Sequence, residues 1–581
     1  MAPSLDRART RPPPSRRSRS SPVNGKLPVA ILWHMHQPYY KHPQTSEFVL
    51  PWVRLHASKD YLHMARLLQE FPRVKVNFTM VPSLRDQLED YARGADDEDT
   101  RLTMRTVDGV LADEERVHIL RRFFSIHHGN VIHRYQEYRR LLQLAMATGD
   151  RHELLSDDYF VDLALWFNLA WIDPDDIRAD QRLVELADKG ARFTRDDVRY
   201  VIGRQRFMAS GVPHLYHRLE RDGQVEILTT PYYHPILPLI IDDRSALRSD
   251  PDAQLPEIPF AYPDDAAFQL EEAIASHERA FGVRPRGVWP SEGAVSPEAA
   301  DAIRKAGLAW FASDEGVLAR SVNVELRRDE VGALIEPGLL YRPYRLANGA
   351  TVIFRDRELS DRIGFVYGDM KPEDAVGDMI VKLERARDRL PNEGGPYLAA
   401  IILDGENAWE QYPNNGNDFL RALYGKLEAD DRFETVRISD FLEKTPATVE
   451  LPRLHTGSWI EASLRVWSGE PAHARAWSAL ERTRRFAQEQ WGSLRYMPKS
   501  VRQPLMVAEG SDWFWWYSSR NSSPEDAVFD ALFRANLEVV WWFAGAEPPD
   551  DIRSPLMDPQ RVTAAGNRIG AMLPGAGERY G

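Results

Sequence analysis

Seven short apolar runs that end in polar residues constrain this chain more than any other feature. They lie at residues 29–36, 74–80, 225–230, 286–290, 309–313, 351–356 and 397–404. Several are apolar at nearly every position, so they lack the alternation of a strand with one wet face. A strand that is apolar on both sides is buried on both sides, the condition of a parallel sheet covered by helices. Segments of helical period lie between the runs. Together they predict an α/β protein, either a β/α barrel or a doubly wound sheet.

The spacing is uneven. Residues 85–222 read as a long helical insertion, with His127, His128, Trp166 and Trp171 inside amphipathic stretches. After about residue 445 the pattern becomes helical, over 472–490 and 524–544. The second stretch is preceded by Ser523 and Pro524, with Asp526 three residues after the serine, close to a capping box. Nine of the 16 Trp fall in this last part. The expected organisation is a basic Pro/Ser/Arg tail over 1–26, a barrel over 27–445, a helical domain over 446–546 and a loose tail over 547–581.

Composition removes several classes of function. With 74 Lys+Arg against 87 Asp+Glu, a net charge of −13, the chain lacks the basic face of a nucleic-acid binder. No apolar run approaches the ~20 residues of a membrane helix. The absence of cysteine excludes disulfides, thiolate metal sites, iron–sulfur clusters and a cysteine nucleophile. The Arg16-Arg17 pair hints at export, but the apolar stretch 27–33 is short and runs into His34, so it reads as the first strand and the chain as cytoplasmic. Nothing in the sequence sets an oligomeric state.

In a β/α barrel the chemistry gathers at the C-terminal ends of the strands. Three such ends stand out. In His34-Met35-His36-Gln37-Pro38 the two histidines are two apart and face one side of a strand. They are either hydrogen-bonded core residues or a metal pair, and a metal pair needs further ligands. Trp289-Pro290-Ser291-Glu292 delivers a Trp and then a carboxylate. Asp404-Gly405-Glu406-Asn407 ends the most apolar strand, and Gly405 offers the backbone a sharp exit. Two carboxylates on different strand ends, flanked by Trp, suit glycosidic chemistry: one is a nucleophile or base, the other an acid kept protonated by its surroundings.

These motifs, in this order, resemble glycoside hydrolase family 57, the α-amylase and 4-α-glucanotransferase family. Gly223-Gln224-Val225-Glu226 with His234-Pro235-Ile236-Leu237-Pro238 extends the likeness. So do Phe354-Arg355-Asp356 and the segment Glu509-Gly510-Ser511-Asp512-Trp513-Phe514-Trp515-Trp516. The resemblance implies an incomplete (β/α)7 barrel with helical insertions followed by an α-helical bundle. It also implies retaining chemistry on α-linked glucans such as starch, glycogen or maltooligosaccharides, with no metal or other cofactor. Glu292 is then the nucleophile and Asp404 the acid/base, Asp404 being preferred to Glu406 because it falls on the strand end. His34, His36, Gln37, His234, Trp289 and Glu406 are expected to bind the sugar. Glu226 is expected to orient a histidine, Arg355 to pair with Glu292, and Trp513, with Trp515 and Trp516, to stack on acceptor sugars. Asp314, Glu315 and Asp356 compete as substrate ligands. Glucan transfer or branching in place of hydrolysis uses the same pair. A metal-dependent carbohydrate enzyme and a glucan-binding protein without turnover are the remaining alternatives.

Overall fold

The computed structural model describes residues 25–557, so most of both expected tails lies outside the described residues. All seven apolar runs form strands. They are β1 (Leu27–Met35), β2 (Val76–Met80), β3 (Val225–Leu228), β4 (Gly287–Val288), β5 (Trp310–Asp314), β7 (Thr351–Arg355) and β8 (Ala399–Asp404). Three further short strands join them: β6 (Tyr344–Arg345), β9 (Phe433–Thr435) and β10 (Val449–Glu450).

The strands make two arcs. One runs β3-β2-β1-β8, all parallel, with β9 also paired to β1; the other runs β10-β6-β7-β5-β4. The arcs meet at two thin seams. At one, the Trp289 amide donates to the Thr229 carbonyl at 3.2 Å beside a parallel Thr229–Val288 bridge. At the other, the Asp356 amide donates to the Ala400 carbonyl at 2.8 Å. The seven main strands therefore follow one another around an incomplete barrel, as the sequence predicts.

Burial sorts the side chains by the two-residue period of a strand. Ala30, Leu32, Leu228, Trp289, Trp310, Ala312, Ile353, Ala400 and Ile402 form a compact cluster inside the barrel, closed below by Ile438, Phe441 and Leu442. The alternate residues, Val29, Ile31 and Trp33 among them, join the larger core between strands and helices. Continuing the inner rows by one step reaches His34, Thr79, Asp314, Arg355 and Asp404. The apolar interior thus ends in a polar layer.

Gly287 on β4 lies opposite Trp310 on β5, and a Cβ there would fall 2.1 Å from the Trp310 ring. Trp310 fills the barrel interior and donates its indole N–H to Ser439 Oγ at 2.8 Å. Gly287→Ala therefore has to expel the ring, and we expect a loss of about 3 kcal/mol in denaturant unfolding.

Between β2 and β3 the expected insertion is a series of helices from Pro82–Ala92 to Arg195–Arg221, the last opened by a Thr194/Asp197 capping box. The C-terminal helices Pro471–Trp491, Lys499–Ala508, Ser511–Tyr517 and Asp526–Phe543 pack through stacked rings, Trp477 on Phe514 at 4.1 Å and Phe486 on Trp541 at 3.9 Å. The last begins two residues after the expected Pro524, because the Ser523 amide donates to Asp526 Oδ1 before the helix starts. Asp550–Arg553 adds a short helix with Ile552, Leu556 and Met557 buried, so this part of the expected loose tail is packed. Among the described residues no helix is long and apolar enough to cross a membrane.

Candidate active site

Three adjacent strand ends of the polar layer stand at one level. Thr79 of β2 and Asp404 of β8 are the register partners of His34 on β1. His34 is buried. Its Nδ1 lies 2.5 Å from Thr79 Oγ1 and its Nε2 lies 3.1 Å from His234 Nε2. His234 Nδ1 lies 2.9 Å from Ser511 Oγ. A contact between two Nε2 atoms requires one ring to donate and the other to accept. Burial, and then the neighbouring imidazoles, hold both His34 and His234 well below the usual histidine range, so both are neutral. His36 stacks on His234 with ring centroids 3.8 Å apart and places Nε2 2.7 Å from Asp512 Oδ1.

Glu292 follows β4 in a backbone state that few side chains adopt. Its φ is +59°, and His234 shares that value. The left-handed region costs an L-residue about 1–2 kcal/mol, so two such residues side by side mark a strained site. The strain turns Glu292 toward the imidazoles: Oε1 lies 4.0 Å from His234 Nδ1, and Oε2 accepts the Trp459 indole N–H at 2.6 Å. Trp459 also packs against Trp289, which stands beside His34 and, fully buried, is part of the barrel core rather than the expected sugar-binding surface.

The two carboxyl groups feel each other. Burial and then the Asp404 charge push Glu292 up to about 8, against the pull of the Trp459 hydrogen bond. Asp404 is raised by burial and drawn back by the Asn407 amide, which donates at 3.0 Å, and by His36 and Arg355.

Several residues expected in the cleft are elsewhere. Glu226 is the second residue of β3, level with Asn77, and so lies toward the opposite end of the barrel. It accepts from the Ser439 amide at 2.9 Å and stands 3.5 Å from Arg286; among the described residues it hydrogen-bonds no histidine. Arg355 binds Asp361, lies 3.5 Å from Asp314 and covers the Trp459 ring. It forms no ion pair with Glu292 among the described residues, so the expected partner that keeps Glu292 ionised is missing and the Glu292 carboxyl rises. Trp513 is buried among the C-terminal helices and donates to the Val507 carbonyl at 2.7 Å, and Trp516 stacks on Phe529. Two rings of the expected aromatic platform are therefore core, and Trp515 is partly buried beside Trp467.

Gln37 and Glu406 sit behind the cleft wall. Glu406 Oε1 accepts from the His36 amide, the Gln37 side-chain amide and the Tyr61 hydroxyl, at 3.0–3.3 Å. Gln37 in turn accepts from Tyr40. These two residues shape the loop that carries His36. Gly405 has no positive φ; a Cβ there would crowd the Met35 side chain at 3.1 Å and the His34 carbonyl at 3.3 Å. Asp314, Glu315 and Asp356 are engaged by Arg355, Arg357 and Arg328 and by helix caps.

The same geometry gives a place in the site to residues to which the sequence assigns no role: Thr79, Asn407, Trp459, Ser511 and Asp512. Asp512 was signalled by its setting, one acid in the aromatic run Trp513-Phe514-Trp515-Trp516. His36, His234 and Asp512 also bring one potential ligand atom each within 4.8 Å of one another. These atoms are occupied by hydrogen bonds, His36 to Asp512 and His234 to His34 and Ser511.

A barrel whose strand ends bring two coupled carboxyl groups together among imidazoles and indoles has the layout of a carbohydrate-active enzyme. The sequence model of glycosyl hydrolase family 57 matches residues 30–452, and the chain belongs to that family, a family of glycoside hydrolases and transferases. No curated protein matches the chain. Among solved structures it resembles a branching enzyme of this family from Pyrococcus horikoshii, with a TM-score of 0.56 and 14% identity over 92% of this chain and 97% of that one. It also resembles an α-amylase from Thermotoga maritima, with a TM-score of 0.54 and 14% identity over 93% and 96%. A branching enzyme from Thermococcus kodakaraensis, solved with glucose, gives a TM-score of 0.54 and 15% identity over 95% and 98%. At these identities the likeness is one of fold.

Proposed function

We propose that the protein is a retaining glycosidase of α-linked glucans, with Glu292 as nucleophile and Asp404 as acid/base. The observation that carries this reading is the setting of Glu292, which follows β4 in a left-handed backbone, accepts the Trp459 indole N–H, stands 4.0 Å from His234 Nδ1 and feels the charge of Asp404 at the end of β8. Glu292 attacks the anomeric carbon while Asp404 gives its proton to the departing oxygen. Asp404 then takes a proton from the incoming hydroxyl as that oxygen displaces Glu292. The reaction needs the one-proton form of the pair, with the proton on Asp404 and Glu292 ionised. The Trp459 indole pulls toward that form by donating to the Glu292 carboxylate, while burial and the Asp404 charge outweigh it in the protein alone and favour the proton on Glu292. The neutral imidazoles of His34 and His234 are buried with both ring nitrogens bonded within the protein, so they wall the site without adding charge beside the nucleophile.

The second reading is transfer, as a 4-α-glucanotransferase or branching enzyme. Two of the structures above are branching enzymes, and the same pair serves both reactions. Incubation with maltoheptaose, and separately with amylose, separates the two. Hydrolysis gives only shorter sugars. Transfer gives sugars longer than maltoheptaose, and branching gives new α-1,6 linkages in amylose. Turnover of neither substrate removes the α-glucan assignment.

A further inference from the structure

The helix that follows the His36 loop is irregular. Trp52–His56 is α-helical, Ala57–Tyr61 is a π-helical turn and Leu62–Leu68 is α-helical again. Such turns are rare and often aim a side chain at a functional site. This one carries a buried ion pair: Lys59 Nζ donates to Asp60 Oδ1 at 2.6 Å, and the two residues are 2% and 0% exposed. A buried pair of this kind is weak evidence for stability. What it fixes here is geometry. Asp60 Oδ2 lies 2.6 Å from His56 Nδ1, so the carboxylate holds the proton on Nδ1 and leaves Nε2 as an acceptor. Nε2 makes no hydrogen bond among the described residues and is not a sealed atom; the ring keeps 11% of its side-chain surface open.

Two ties set where His56 stands. The Tyr61 hydroxyl donates to Glu406, two residues past Asp404. The Asn415 side chain, farther along the same loop, donates to the Lys59 carbonyl at 2.9 Å and accepts from Lys59 Nζ. The π-turn is therefore fastened at two points to the segment that leaves Asp404. Trp459 and His234, in contrast, belong to the Glu292 wall. In a retaining reaction the acid/base group faces the oxygen of the departing or arriving sugar.

We propose that His56 is an acceptor-site residue, its Nε2 taking a hydrogen bond from a hydroxyl of the glucan sugar on the Asp404 side of the cleaved bond, with Asp60 and Lys59 as its positioning residues. This rests on the retaining reading above. The test uses α-maltosyl fluoride, whose fluoride leaves without a sugar on that side, and maltose as the added acceptor. Fluoride release reports formation of the glycosyl-enzyme. The yield of maltotetraose against the fluoride released reports how that intermediate is shared between acceptor and water. His56→Phe is expected to lower the transfer-to-hydrolysis ratio roughly five- to tenfold and to raise the KM for acceptor maltose to match, the worth of one hydrogen bond. His56→Gln, which keeps an acceptor, is expected to recover part of both, and Asp60→Asn to shift them the same way by less. A ratio within twofold of wild type in His56→Phe overturns the proposal. Equal losses in His56→Phe and His56→Gln that track a lowered melting temperature also overturn it, by assigning the ring to packing. Absence of fluoride release by the wild-type protein is a different failure: it removes the glycosidase reading, and the acceptor site falls with it.

Discussion

Glu292→Gln and Asp404→Asn each lower turnover of maltoheptaose by about 10³-fold or more, and they part company once the leaving group needs no proton. Fluoride and 4-nitrophenolate leave unaided. With a maltosyl donor carrying either, Asp404→Asn recovers its first step, releases one equivalent quickly and then stalls, because no base activates water for the second step. Azide, which attacks without a base, restores its turnover and gives the α-azide. Glu292→Gln recovers with neither donor, since no nucleophile waits beneath the anomeric carbon. The smaller Glu292→Ala, supplied with azide, gives the inverted β-azide. Glu406→Gln serves as the control. Glu406 Oε1 already accepts three hydrogen bonds behind the His36 loop, so whatever that variant loses does not return with a better leaving group. If the Glu292 and Asp404 variants respond alike to the activated donors, the division of roles between them is wrong.

What the sequence discloses about this site follows from how local the information is. An apolar run that ends in a carboxylate places that carboxylate at the end of a buried strand, because the two-residue period carries the inner row on to the next inner position. Asp404 and His34 are legible for that reason, each two residues past an interior side chain, Ile402 and Leu32. The partners are less legible, because a partner depends on which distant segments meet. Arg355 sits on the inner row as expected, but Asp361, only six residues away and one helical turn into the next helix, takes its guanidinium before Glu292 is in reach. Glu226 faces inward too, yet it lies at the level of Asn77, where the barrel is closed by the helix that begins at Ile438. In the segment 509–516 the aromatic residues draw attention, but a tryptophan between packed helices is worth more to the fold inside than in water. Trp513 turns inward and the small polar residues Ser511 and Asp512 reach the cleft. Trp459 gave no local sign: it follows a bridge between Gly457 and Val295 that only the folded chain forms.

The price of the site is visible in the same residues. His234 and Glu292 hold left-handed backbones, and Glu461 and Ala462 do so just after Trp459. Ionisable groups that reaction requires are held where burial opposes their charge. Regions arranged in this way are stabilised by substitutions that abolish function.

Glu292→Gln is accordingly expected to make the protein more stable, by an amount that pH controls. In the unfolded chain Glu292 ionises near the ordinary 4.5, whereas in the fold it is pushed up to about 8. Below pH 4.5 the carboxyl is protonated in both states and the folded protein bears no penalty. As pH rises from 4.5 toward 8 the unfolded state gives up its proton and the folded state keeps it, so stability falls by about 1.4 kcal/mol per pH unit from this group. Above about 8 both states are ionised and the loss is constant. Glutamine does not titrate, and its carbonyl still accepts the Trp459 indole. The variant should therefore match wild type near pH 4.5 and exceed it by roughly 3–5 kcal/mol at pH 9. In thermal scans at a fixed rate this reads as a gap of several degrees that opens with pH and then levels off. Asp404→Asn removes the charge that helps to raise Glu292, so it recovers part of the same gain, and the double variant gains less than the sum of the two. A gap that is equal at pH 4.5 and pH 9 would mean that Glu292 titrates normally in the fold, and the coupling of the two carboxyl groups would have to be abandoned.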